Sequence, residues 1–94
     1  MYKVGQPKKR VFEFEVDGKA YSVPSLAQMD LETIKAYAEA VKGGDDLSFV
    51  LWIVDNLFPA DAAEVVRKLQ LDQSAPLIRA YIAEGAETVG ESKA

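Results

Sequence analysis

The 94-residue sequence contains no cysteine and no histidine. Without cysteine there are no disulfides, no thiolate nucleophiles and no Cys-based zinc or iron–sulfur sites; without histidine the usual general base and metal ligand are missing. Most enzyme chemistry is thereby excluded. Long apolar runs are absent too: no stretch reaches the roughly 18 residues of a membrane span, and the basic start MYKVGQPKKR is not followed by a signal-peptide core. The expectation is a chain that stays in the cytoplasm in which it is made. What is present is 49% apolar residues, enough for one modest core in one small domain. The formal charge of −4 hides an asymmetry: Lys3, Lys8, Lys9 and Arg10 sit among residues 1–10 with no acid, leaving residues 11–94 with 7 basic and 15 acidic groups, a net of −8. Such a body repels phosphates, so nucleic-acid binding would rest on four charges in the arm.

The fold class read from the pattern is α+β, mainly α: an N-terminal β-hairpin over about 11–23, then four short helices at about 31–42, 46–58, 62–71 and 74–85. Residues 1–10 read as a flexible basic arm, 11–85 as one globular domain and 86–94 as a flexible tail. Val11-Phe-Glu-Phe-Glu-Val16 alternates with period two, Asp17-Gly18 suits a two-residue type I′ turn, and Lys19-Ala-Tyr-Ser-Val23 alternates again. That turn pairs Phe14 with Tyr21 and Phe12 with Val23 on one face, and Pro24 closes the second strand.

Ser25-Leu-Ala-Gln28 has capping-box spacing and suits a short turn, while Asp30 is an N-cap for the helix that follows. There Leu31, Ile34, Tyr37, Ala38 and Val41 keep helical spacing, with Glu32, Lys35, Glu39 and Lys42 outside. Gly43-Gly44 ends this helix and Asp45 or Asp46 caps the next. Residues 47–58 are the most apolar segment and the expected core helix, with Leu47, Val50, Leu51, Val54, Leu57 and Phe58 as its stripe. Pro59 closes it, and Asp61 caps a third helix whose stripe is Ala62, Val65, Val66 and Leu69. A break at 71–74 precedes a last helix capped by Asp72 or Ser74, with Pro76 in its first turn and Leu77, Ile78, Tyr81 and Ile82 as its stripe. Gly85 marks its end.

Chemistry-bearing residues are few. The adjacent Asp45-Asp46 lacks further oxygen ligands at calcium-loop spacing and reads as a helix cap. Asp55 and Asn56 fall with Ser48 in one narrow polar sector of the apolar helix, and read as a solvated strip. No catalytic, metal or cofactor residues are assigned. Trp52 projects into that same polar sector, with Phe49 just beyond it. An aromatic so placed is covered either by the hairpin or last helix, or by a partner, tryptophan being enriched at binding hot spots. Phe49 and Trp52, with adjacent Ile53, are the partner-contact candidates. The hairpin's open strand edges also favour packing on the helices or on a second copy.

The order of features then becomes informative. A basic arm, the strand-turn-strand Phe12-Glu-Phe-Glu-Val-Asp-Gly-Lys-Ala-Tyr-Ser-Val-Pro-Ser-Leu26, a set of short helices and the close Val89-Gly-Glu-Ser92 resemble the tail assembly chaperones of long-tailed bacteriophages, especially those of actinobacteria. The resemblance spans roughly Phe12 to Ser92. It implies a non-enzymatic protein that binds the tape measure protein, keeps it soluble and promotes tail tube assembly in the host cytoplasm, and that is absent from the mature virion. It also implies a longer form made by ribosomal frameshifting, this chain being the short one. The competing readings are a structural virion component, such as a connector or tail protein, and a small nucleic-acid-binding regulator acting through the basic arm.

Overall fold

Two alternating segments joined by Asp17-Gly18 pair as expected. The computed structural model describes residues 1–6, 10–43 and 46–91. Strands β1 (Val11–Val16) and β2 (Lys19–Pro24) are antiparallel, with Phe14 opposite Tyr21 and Phe12 opposite Val23. Asp17 and Gly18 have φ of 51° and 80°, the left-handed pair that a type I′ turn requires. One face of this hairpin packs on the core: Phe14 stacks on Tyr21 and Phe58, and Tyr81 makes T-shaped contacts with Phe12 and Phe58.

The chain then turns. Buried Ser25 accepts a hydrogen bond from the Ala27 amide at 3.2 Å and starts a single 3-10 turn, Leu26–Gln28. Helix α1 (Leu31–Gly43) begins at the expected cap, where Asp30 Oδ1 accepts from the Thr33 amide at 2.8 Å. Helices α2 (Asp46–Leu57), α3 (Ala60–Arg67) and α4 (Leu71–Glu91) follow. The core gathers Ile53, Val54 and Leu57 of α2, Phe58 just after it, Ala62, Ala63 and Val66 of α3, Ile78 and Tyr81 of α4, and Val23 of the hairpin. The architecture is α+β, mainly α.

Several boundaries differ from the sequence reading, each for an identifiable reason. Pro59, not Asp61, holds the start of α3; Asp61 lies inside the first turn, accepting from the Ala62 amide at 2.8 Å. Helix α4 starts at Leu71 rather than 74, because Gln70 and Gln73 close its first turn reciprocally. The Gln70 amide donates to Gln73 Oε1 at 2.9 Å, and the Gln73 and Ser74 amides donate to the Gln70 carbonyl at 3.0 and 2.9 Å. Pro76 consequently lies beyond the first turn, at an exposed position. Gly85 does not end α4: the helix runs on to Glu91, so residues 86–91 are helical rather than tail. A Cβ at Gly85 would lie 2.7 Å from Leu26 Cβ, so glycine there permits close approach of the 3-10 turn.

Arg10 is not part of a loose arm. Its carbonyl accepts from the Ser25 amide at 3.1 Å and its guanidinium pairs with Glu84. Residues 1–6 have no regular secondary structure and lie exposed. Lys8, Lys9, Gly44, Asp45, the Asp46 side chain and Ser92 fall outside the described parts, and with them the cap assigned to Asp45 or Asp46.

Candidate functional site

Helix α2 is apolar around most of its circumference, and its neighbours decide which part is covered. The hairpin, α3 and α4 enclose the Ile53, Val54, Leu57 and Phe58 side. Ile53 is completely buried there, which corrects its expected place beside Phe49 and Trp52: it supports the core and is not open to a partner. Phe49 and Trp52 are partly buried. Tyr37 of α1 lies over both, its ring centroid 5.6 Å from Phe49 and 6.3 Å from Trp52, and Phe49 also borders Ile78 and Ile82 of α4. Burial raises the Tyr37 phenol pKa, keeping it neutral against this aromatic pair.

The polar sector is as expected. Asp55 and Asn56 are exposed. Asp55 accepts from Arg67 Nε and Nη2 at 3.0 and 2.7 Å, tying α2 to α3, and Asn56 Nδ2 donates to the Trp52 carbonyl at 2.9 Å.

The surface left open lies on the other side of α2. Leu47 and Leu51 were expected in the core stripe and Leu71 in a break, yet they are 51%, 46% and 55% exposed. All three line one shallow groove between α2, the end of α3 and the start of α4, with Arg67 on its wall. A second groove of about 350 Å³ continues from it along Phe49, Val50, Ile78 and Ile82, with Arg79 on its wall. The trace of this surface in the sequence is the excess of apolar residues in 47–58 over what one core-facing side of a helix can bury. Its position is set by tertiary packing.

The main buried polar cluster is structural. Ser25 Oγ donates to Glu84 Oε1 at 2.7 Å, Arg10 pairs with the other carboxylate oxygen, and the Tyr81 hydroxyl donates to the Pro24 carbonyl at 2.8 Å. The Ser25 hydrogen bond holds the Glu84 carboxyl below its ordinary pKa; burial opposes it, and the hydrogen bond and charge of Arg10 add to the lowering. Burial, reinforced by the Glu84 charge, pushes the Tyr81 phenol well above its ordinary pKa, so it remains a donor. Among the described residues, no cluster of three or more acidic side chains could hold a metal ion. No protein-family model, curated protein or solved structure matches the chain.

Proposed function

We propose that this chain is the short form of a bacteriophage tail assembly chaperone, a non-enzymatic holdase that binds the tape measure protein in the host cytoplasm and promotes tail tube assembly without remaining in the virion. The observation that carries the reading is the row of exposed leucines, Leu47, Leu51 and Leu71, along the grooves between α2 and α4. Large apolar side chains left open along one groove support a protein-binding role. A long, apolar-rich helical client needs such a surface, and the acidic body keeps the loaded complex soluble. The partner's identity comes from the resemblance over Phe12 to Ser92.

Co-expression with the tape measure protein from the same phage tests this. The expected result is co-purification and a larger soluble fraction of the client; no association and no gain in solubility would overturn the reading. Mass spectrometry of purified particles separates it from a structural virion component, which would be found there. Combined Leu47→Ser, Leu51→Ser and Leu71→Ser should abolish client capture, while each change, at a half-exposed position, costs about 1 kcal/mol of stability, with retained helical circular dichroism showing that the fold persists.

A further inference from the structure

We infer that α1 is a releasable cover over the Phe49–Trp52 face of α2, and that this face, once uncovered, takes an amphipathic helix of a partner in place of α1. The inference rests on the chaperone reading for the partner, but its tests do not use the tape measure protein.

The first support is the distribution of burial. Of the 13 residues of α1, all of them described, none is buried, whereas α2, α3 and α4 each place at least two side chains in the core. Leu31 and Val41, at the two ends of its apolar stripe, are 85% and 47% exposed. Contact is concentrated midway, where Tyr37 lies on Phe49 and Trp52. Segments with few buried apolar contacts open at a free energy below that of global unfolding. A helix of this length is also near the limit of about 12–15 residues below which isolated helices are marginal.

The second support is what release would uncover. The α2 residues of the core share one cluster with those of the hairpin, α3 and α4, and of α1 only the partly buried Tyr37 packs against it, so little of the core depends on α1. Phe49 both contacts Tyr37 and lines the groove between α2 and α4. Opening α1 would therefore join the Trp52 face to the leucine surface as one apolar band.

The third is that the occupant's chemistry is displayed by α1 itself. It offers an aromatic at its centre, Ile34 three residues before and Val41 four residues after, and charged Glu32, Lys35, Glu39 and Lys42 on exposed positions. A partner helix with that spacing makes the same contacts, which is the helix-in-groove mode of recognition.

Hydrogen exchange on the wild-type protein is the first test. Amides of α1 should exchange at least tenfold faster than the slowest amides of α2 and α4; equal protection would overturn the inference. The second uses Trp52, the sole tryptophan, as reporter. Ala36 is exposed at the middle of α1, so Ala36→Pro should break that helix and shift Trp52 emission to the red while α2–α4 stay folded. Adding a synthetic peptide of residues 30–43 should restore blue emission saturably, and the same peptide with Tyr37→Ala should bind at least tenfold more weakly. Global unfolding of Ala36→Pro, or no response to the peptide, would overturn the inference. Failure of client capture with these results intact would instead count against the chaperone reading alone.

Discussion

Glu84 joins three parts of the chain through one carboxylate: the strand entry at Arg10, the buried hydroxyl of Ser25 and helix α4. Both bonds favour the ionised form, so its folded pKa lies below the ordinary value of 4.5. A carboxyl whose folded pKa is depressed stabilises the fold above its unfolded pKa and loses that contribution as pH falls through the folded value. Asp30, depressed by its bonds to Thr33, acts in the same direction. Stability should therefore fall below about pH 4.5, and Glu84→Gln should narrow the difference between urea midpoints at pH 7 and pH 3 without removing it. Gly85 is the other residue under strict demand. Alanine there would gain about 1 kcal/mol of helix propensity, but its Cβ would meet the root of the Leu26 side chain at 2.7 Å. Overpacking of that kind costs about 1–3 kcal/mol. Gly85→Ala should therefore lower the thermal midpoint, and an unchanged or raised midpoint would show that the 3-10 turn yields.

On α2, adjacent positions carry opposite duties. Ile53→Ala should cost about 2–5 kcal/mol, as a fully buried side chain does. Trp52→Ala should cost less than the roughly 3–5 kcal/mol of a buried tryptophan, because it lies partly open beneath Tyr37. Chemical denaturation of both variants checks the order. The same helix shows where sequence reasoning stops. Its existence and ends follow from composition and Pro59, but an apolar surface reaching most of the way round gives no unique inward direction. That choice was made by the hairpin, α3 and α4, which enclose Ile53 and leave Leu47 and Leu51 outside. The hairpin was legible to the register because period-two alternation and an Asp-Gly turn are local and agree. Gly85 and the start of α4 were not legible for the opposite reason. A glycine near a helix end usually stops it, and glutamine is an uncommon cap, so only the contact with Leu26 and the bonds to Gln73 reveal their roles.

Taken whole, the molecule sets an open apolar band on an acidic body and draws one of its four arm cations, Arg10, into the fold. Client capture driven by apolar contact should weaken little with added sodium chloride, whereas binding through the basic arm would fall steeply as counterions compete. Affinity for a client segment measured at about 50 and 200 mM salt separates the two, and a steep fall would favour the nucleic-acid-type surface. The ties between hairpin and α4 also have a consequence for synthesis. They join residues 74, 59 and 57 positions apart, and ribosomes add about 5–20 residues per second. For several seconds, then, Phe12, Phe14 and Tyr21 have left the ribosome with no Tyr81 to close against. The hairpin is completed by a helix made well after it, and until α4 emerges the nascent protein has the same need for shelter that it is proposed to meet in its client.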